Sequence, residues 1–325
     1  MQIRSVIRAL KFLLVFTSLF AGYPAISRSV QDTLTEKQET NASFNGIYRQ
    51  NASPGFFGNE YGNPIKTSLV ADLNPNVVLL NSNKSRFFVL FSPRVKLRLL
   101  NARKAPVRSP SYMPGLKIYS RLNSDREKPQ FLSLAYSHHS NGQDGPTLDS
   151  IGRFNRGKGK FTTNYYTLDY TVGRRNSSAV KSTNQYGSLG IELHTGLFNL
   201  GYSKELKGNY GFVRINGSWT FDYLKHESVD HNYQNHHRVQ FKFAYIADDY
   251  KNYAATNLQK RLNTSLHYSY QPGFTENVAL SLGAGYRGQD DYNIYFEDSY
   301  SFVSVGVVYG VAFDLRKKSN LKSDR

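Results

Sequence analysis

The chain has 325 residues, a net charge of +17, no cysteine and a mean hydropathy of −0.52. It contains no long apolar run after the N-terminal segment, which excludes a bundle of transmembrane helices. The absence of cysteine excludes disulfides, thiol chemistry and zinc–cysteine sites. The basic residues are scattered along the chain instead of gathered on one helix or stripe, so nucleic-acid binding is not predicted.

The first residues have the pattern of an export signal. Arg4, Arg8 and Lys11 precede an apolar stretch, and Ala25-Ile26-Ser27 offers a small-residue cleavage site. This pattern is typical of a cleaved secretory signal peptide over residues 1–27 and is too short for a spanning helix. Residues 28–64 are polar and show no period, which predicts a polar N-terminal periplasmic arm.

From Ile65 onward, apolar and polar residues alternate in segments of about ten residues. Val95, Leu97 and Leu99 interleave with charged residues, and Val303 to Phe313 alternates in the same way. A period of two predicts β-strands with one apolar and one polar face. The sequence is therefore assigned to the all-β class.

The polar faces of these strands carry arginine, lysine, aspartate and amides. Such faces are costly beside a dry core but ordinary in a water-filled lumen. Aromatics gather at strand ends, as in Trp219 to Tyr223 and Tyr268 to Tyr270, which indicates girdles at a membrane interface. We predict a transmembrane antiparallel β-barrel of the bacterial outer membrane over residues 65–315, with about twelve strands because single-chain barrels have even numbers. A basic C-terminal tail over residues 316–325 would follow it.

One segment carries candidate catalytic residues. The strand pattern from Phe131 to Ser137 ends in His138-His139-Ser140-Asn141-Gly142, and both His138 and Ser140 share the parity of the apolar face. Residues two apart in a strand project the same way, so an imidazole and a hydroxyl would lie side by side on the lipid face. This pair predicts a nucleophile with its general base.

The next strand pattern, from Phe161 to Val172, offers a third group. Asn164 lies on its apolar parity, whereas Asp169 lies on the lumen parity. An amide can orient an imidazole without placing a carboxylate beside lipid. His194 and Glu192, in a later strand, share a lumen-facing row, and we interpret them as part of a hydrogen-bonded polar interior.

At these residues the chain resembles the outer-membrane phospholipase A enzymes. Their signature is a strand ending in His-x-Ser-Asn-Gly, then a loop and an Asn, and it stands here as His138 to Gly142, Asp144-Gly145-Pro146-Thr147 and Asn164. The similarity in residues covers about 35 positions. The resemblance implies a twelve-stranded barrel with its triad on the outer wall, membrane phospholipids as substrate, calcium as cofactor and a homodimer as the active form.

The resemblance also implies roles for individual residues. Ser140 would be the nucleophile, His138 the general base, Asn164 the orienting group and the Gly142 amide one oxyanion donor. The family has an arginine after the signature glycine, whereas this chain has Gln143.

The loop before Asn164 is longer than in the family's better-known members. Asn155, which lies nearer the family spacing, is therefore an alternative third member, and we favour Asn164 because of its face. Calcium ligation is expected from Gln143, Asp144, Thr147 and Asp149, all sources of hard oxygen ligands. Asp and Thr in such a loop are also common turn formers.

The expected function is thus that of a calcium-dependent phospholipase acting on acyl esters of glycerophospholipids. Two alternatives stay open. A lipid A deacylase also carries a His-x-Ser-Asn signature on the outer wall of a barrel, with a carboxylate as third member and a smaller barrel. A passive porin or structural barrel, in which the signature is coincidental, is the non-enzymatic alternative.

Overall fold

The structure is a computed structural model. It describes residues 55–81, 86–101, 107, 109–123, 125, 127–178, 181–196, 201–226, 234–275, 278–309 and 312–314. The predicted signal peptide (1–27), the predicted arm up to residue 54 and the predicted tail (316–325) lie outside these residues. Among the described residues, no helix has the length and apolar character needed to cross a membrane.

The described residues form one sheet of fourteen strands. The strands are β1 Gly55–Tyr61, β2 Thr67–Leu73, β3 Asn76–Asn81, β4 Phe87–Leu100, β5 Ser111–Arg121, β6 Gln130–Ser140, β7 Thr162–Ser177, β8 Lys181–His194, β9 Val213–His226, β10 Gln234–Ile246, β11 Leu262–Gln271, β12 Val278–Arg287, β13 Tyr300–Tyr309 and β14 Ala312–Asp314.

The sheet closes into an antiparallel ring of twelve strands. β4 to β13 pair in sequence order, and β1 and β2 join β13 back to β4. Both β2 and β3 pair with β4, each with a different part of it, so they occupy one position in the ring. The short strand β14 pairs with β3 in parallel. The predicted all-β class and the predicted twelve-stranded barrel are therefore confirmed.

The barrel begins earlier than the sequence predicted. Gly55–Tyr61 was assigned to the periplasmic arm, but it is strand β1 and pairs with β13 from Gly55↔Tyr309 to Tyr61↔Val303. The predicted boundary at residue 64 was wrong because glycines interrupt the alternation that marks a strand. Gly58 faces Gly306 so closely that a Cβ on Gly58 would lie 2.6 Å from the Gly306 Cα.

Exposure alternates along the strands as a membrane barrel requires. On β12, Leu280 is 60% exposed and the next residue, Ser281, is 3% exposed. The outward rows are rich in Leu, Val and Tyr, and the inward rows carry Ser, Thr, Asn and charged residues. The apolar belt faces outward because lipid, and not a protein core, solvates it.

Loop residues pack together at one end of the barrel, which we call the loop end. Eight buried residues pack there into a cluster that we call the plug: Phe161, Leu206, Tyr210, Phe212, Tyr292, Ile294, Tyr295 and Phe296. Arg98 of β4 meets the plug, with its guanidinium 4.5 Å from the Tyr292 ring centroid and 2.6 Å from Asp290 Oδ2.

A cavity of about 510 Å³ lies in the lumen, lined by charged and polar side chains. Asp291 lies on this cavity, where burial raises its pKa but Lys96 and Arg287 outweigh that effect and hold the pKa well below its usual value. The side chain of Asp291 is therefore a carboxylate paired with cations. A network of ion pairs therefore lies in the lumen next to the plug. The network and the plug together hold the loops at this end.

Candidate active site

Strands β6 and β7 bring three predicted site residues to the outer face at the loop end. His138 pairs in register with Asn164, and Ser140 pairs with Thr162. Leu134, on the parity of His138, is 49% exposed, whereas the intervening His139 is 3% exposed. The side chains of His138, Ser140 and Asn164 therefore project from the outer wall, away from the lumen.

The imidazole of His138 and the amide of Asn164 are in direct contact. The Nδ1 atom of His138 lies 2.8 Å from the Oδ1 atom of Asn164. The Asn164 Nδ2 group donates to the Gly201 carbonyl at 2.6 Å, so Oδ1 is the amide atom that must face the imidazole. Because Oδ1 only accepts, the His138 Nδ1 atom must carry the proton, and Nε2 is left as the basic nitrogen.

Ser140 is the last residue of β6 and lies two residues beyond His138 on the same face. Both side chains are partly exposed, so the hydroxyl and the imidazole are accessible from the lipid side. Tyr112 of β5, which is 42% exposed, is the register partner of Ser140 on its other side. The result is a hydroxyl, an imidazole and an orienting amide at the end of an apolar wall, which are the parts of a hydrolase triad.

The residues after Ser140 fix the turn into the loop. Asn141 is buried; its Nδ2 group donates to the Gly159 carbonyl at 2.8 Å and its Oδ1 atom accepts from the Phe161 amide at 2.9 Å. Gly142 has φ +67°, a conformation that favours glycine, and a Cβ there would lie 3.2 Å from the Tyr112 ring. The turn thus holds the backbone around the predicted oxyanion donor.

The alternative third member, Asn155, lies in the loop between β6 and β7. Its Oδ1 atom accepts from the amides of Gly157 at 3.1 Å and Lys158 at 3.2 Å, and its backbone amide donates to the Thr147 carbonyl at 2.9 Å. This is a turn-forming role. The structure brings Asn164, and not Asn155, into contact with His138.

The four expected calcium ligands have different surroundings. Thr147 is buried and its hydroxyl donates to the Lys160 carbonyl at 3.2 Å. Asp149 Oδ1 accepts from two backbone amides, at 3.0 and 2.9 Å, in a turn. The backbone N–H of Gln143 donates to Asn141 Oδ1 at 3.3 Å, and Asp144 is exposed.

These residues do not fit a calcium site within one chain. The loop over residues 141–161 contains only two acidic residues and four basic ones, a balance that opposes a divalent cation. No group of three or more His, Cys, Asp or Glu able to hold a metal occurs in the described part of the chain. Asp144 and Asp149 are both exposed, and the Asp149 carboxylate already accepts from two backbone amides, which leaves Asp144 as the better candidate.

Sequence reasoning missed two contacts of the site. The Tyr136 hydroxyl donates to Asn164 Oδ1 at 2.9 Å, and the Gly201 carbonyl accepts from the same amide group. Tyr136 shares the outward parity of His138, and this parity alone predicts only a lipid-facing side chain. A loop carbonyl such as that of Gly201 has no signal in the sequence at all.

Comparison with solved structures shows the same fold in enzymes. Outer membrane phospholipase A from Escherichia coli matches with a TM-score of 0.50 and 12% identity, over 82% of this chain and 98% of that one. The outer membrane phospholipase of Salmonella typhi, a dimer with bound calcium, matches with a TM-score of 0.50 and 13% identity, over 79% of this chain and 90% of that one. No protein-family model and no curated protein sequence matches the chain.

At this identity, the likeness shows the shared fold. The chain has the outer-membrane phospholipase A fold that the sequence signature implied, in agreement with its closed twelve-stranded ring and apolar outer belt. It is a barrel protein of the bacterial outer membrane.

Proposed function

We propose that the protein is a phospholipase of the A1/A2 type that hydrolyses acyl esters of glycerophospholipids in the outer membrane. One observation carries the proposal: His138 Nδ1 lies 2.8 Å from Asn164 Oδ1 on the lipid-facing wall, with Ser140 two residues along the same face. A neutral amide suits this place, since a carboxylate there would need a costly charge beside lipid.

The arrangement supports a two-step acyl transfer. The Ser140 Oγ atom attacks the ester carbonyl carbon while His138 Nε2 takes the hydroxyl proton. The tetrahedral intermediate then collapses, the ester C–O bond breaks, and the imidazolium returns its proton to the departing lysophospholipid oxygen. In the second step His138 activates a water, which attacks the acyl-serine, and the fatty acid leaves as Ser140 regains its proton.

Two groups of this chain would assist these steps. The Asn164 amide holds the imidazole in the tautomer that leaves Nε2 basic and stabilises the imidazolium once it forms. The Gly142 amide, in its fixed turn, would donate to the oxyanion. A lipid lying beside the exposed leucines of β6 would reach Ser140 along the same face, so the outer wall itself would give substrate access.

Calcium and a homodimer are part of the proposal. The Salmonella neighbour is a calcium-bound dimer, whereas the described residues of one copy of this chain contain no cluster of three or more His, Cys, Asp or Glu that could hold a metal. A second copy would have to contribute further oxygen ligands beside Asp144. Crosslinking in detergent with and without calcium tests this part, and a fully active monomer that needs no calcium would contradict it.

The lipid A deacylase and the passive barrel have less support. The deacylase uses a carboxylate as the third member and has a smaller barrel. In this chain the group in contact with His138 is an amide, and the ring has twelve strands. A pore needs an open lumen, whereas eight buried apolar and aromatic residues pack together at the loop end.

The decisive experiment compares substrates and a serine-directed probe on the purified barrel in mixed micelles. We expect release of fatty acid from purified phospholipid with calcium, no deacylation of purified lipid A, and labelling of Ser140 by a fluorophosphonate. A wild-type barrel that is correctly folded but inert toward both lipids and the probe would favour the passive barrel. Turnover of lipid A alone would favour the deacylase.

A further inference from the structure

The orienting amide of the site is held by a third side chain that the catalytic signature does not include. Asn164 Oδ1 accepts two hydrogen bonds, from His138 Nδ1 at 2.8 Å and from the Tyr136 hydroxyl at 2.9 Å. We propose that Tyr136 is a positioning residue that fixes the Asn164 amide and, through it, the tautomer of His138. The proposal rests on the triad proposed above.

The bonding capacity of the amide supports this role. A carbonyl oxygen has two lone pairs, and Tyr136 and His138 fill both. The Nδ2 group donates to the Gly201 carbonyl at 2.6 Å, so a flipped amide would set Oδ1 against another carbonyl oxygen. The amide is therefore held from three directions, and Tyr136 supplies the one bond that comes from neither the imidazole nor the loop.

The ring of Tyr136 is itself held in place. It shares the outward face of β6 with His138, and its register partner on β7 is Tyr166. The two tyrosine ring centroids lie 5.3 Å apart at an interplanar angle of 49°. Packing against Tyr166 limits the rotation of Tyr136, so that its hydroxyl stays on Asn164.

The bond matters most when the imidazole becomes charged. An imidazolium at His138 pulls more strongly on Asn164 Oδ1. Without the Tyr136 bond, Asn164 is anchored only at Nδ2, to the Gly201 carbonyl, so its oxygen can follow the imidazole or turn away. Tyr136 keeps Oδ1 at the position where it already accepts the hydrogen bond from the neutral imidazole, so little reorganisation is needed in the transition state. Loss of the hydroxyl should therefore act on kcat and leave KM nearly unchanged.

The test removes only the hydroxyl. Tyr136→Phe should lower kcat about fivefold, the value of one neutral hydrogen bond, with KM within about twofold of wild type. Tyr166→Phe is the matched control. It removes the hydroxyl of the other tyrosine of the pair but keeps the ring that packs against Tyr136, so it should leave kcat and KM unchanged. The substrate is a short-chain phosphatidylcholine in mixed micelles with calcium.

A second measurement does not depend on turnover. Nitrogen NMR of imidazole-labelled protein in micelles, with the His138 signal assigned from a His138→Gln variant, reports which ring nitrogen carries the proton. We expect the Nδ1–H form in wild type and in Tyr166→Phe, and a mixture with the Nε2–H form in Tyr136→Phe. Unchanged tautomer populations in Tyr136→Phe would overturn the proposal, even if kcat fell, since the tyrosine would then act by contacting lipid.

The two proposals fail separately. An inert wild-type enzyme whose His138 tautomer still shifts in Tyr136→Phe would support the positioning role and refute the phospholipase. An active wild type with kcat and tautomer unchanged in Tyr136→Phe would refute the positioning role and keep the phospholipase.

Discussion

The two faces of the neighbouring strands β6, β7 and β8 carry two histidine clusters. The outer cluster consists of Tyr136, His138, Ser140 and Asn164 on the lipid side of β6 and β7. The inner cluster lies on the lumen side of β7 and β8, where the Thr163 hydroxyl is 2.8 Å from His194 Nδ1 and His194 Nε2 is 2.8 Å from Glu192. Judged by bond pattern alone, the inner cluster is the more complete hydroxyl–imidazole–carboxylate relay.

Access separates the two clusters. Thr163 is 0% exposed, and the rings of Tyr210 and Phe212 from the plug lie 5.3 and 5.7 Å from the His194 ring centroid. Arg214 also lies 3.3 Å from the Glu192 carboxylate and neutralises it. The inner cluster therefore satisfies buried polar groups and supports the barrel. In the outer cluster, His138 and Ser140 are partly exposed on the outer wall, where the proposed lipid substrate would lie.

The largest expected effect tests the two hydroxyls against each other. Ser140→Ala should lower turnover at least a thousandfold and abolish probe labelling, because no other hydroxyl replaces a lost nucleophile. Thr163→Val, which is nearly isosteric, should keep turnover within about twofold of wild type. Fatty-acid release and fluorophosphonate labelling measure both variants. Full activity of Ser140→Ala would remove the catalytic assignment.

The next effect compares the two asparagines that the sequence offered as third member. Asn164→Ala should reduce kcat by about an order of magnitude or more, because the imidazole loses its orienting acceptor. Asn155→Ala removes only a turn contact in the loop and should change kcat little. Steady-state hydrolysis in mixed micelles measures both. The reverse order of effects would move the third role to Asn155.

These comparisons show what the sequence could predict. Alternation with period two predicts strands and faces, so it placed His138, Ser140 and Asn164 on one wall and His194 with Glu192 on the other. The pairing of neighbouring strands then brings residues 138 and 164 into register. The assignment of faces follows from the local alternation of residues, and the pairing of residues 138 and 164 follows from the antiparallel connection of consecutive strands.

Other features had no such pattern. Strand β1 was missed because Gly55 and Gly58 lack the side chains that show alternation. The Gly201 carbonyl reaches Asn164 from a loop 37 residues away, and a backbone oxygen leaves no trace in the residue type. A tyrosine on a lipid face indicates a girdle residue, and only the structure shows that the Tyr136 hydroxyl donates to the Asn164 amide.

A smaller effect concerns calcium at the outer face. Asp144→Asn should raise the calcium concentration for half-maximal activity several-fold, because it removes an exposed carboxylate that follows Ser140 closely in the chain. Asp149→Asn is the control: its Oδ1 can still accept from the Ile151 and Arg153 amides, so calcium dependence should not change. Calcium titrations of hydrolysis test both. Equal titration curves for Asp144→Asn and wild type would exclude this carboxylate as a ligand.

The smallest effect on turnover is expected at the inner histidine. His194→Gln breaks buried hydrogen bonds to Thr163 and Glu192, so it should lower the free energy of unfolding by about 1–3 kcal/mol. Turnover of the folded barrel should stay within about twofold of wild type. Denaturant unfolding in lipid vesicles, followed by the fluorescence of Trp219, the only tryptophan, measures the stability.

The matched variant for this measurement is His237→Gln. His237 bonds the Tyr268 hydroxyl at 2.9 Å, but on the exposed outer side of the barrel, so its loss should cost well under about 1 kcal/mol. A large loss of stability at His194 and a small one at His237, both with turnover kept, would establish the lumen side as structural. If His194→Gln instead removed hydrolysis from a barrel that remained folded, the inner cluster would belong to the chemistry, and the separation of the two faces by access would be wrong.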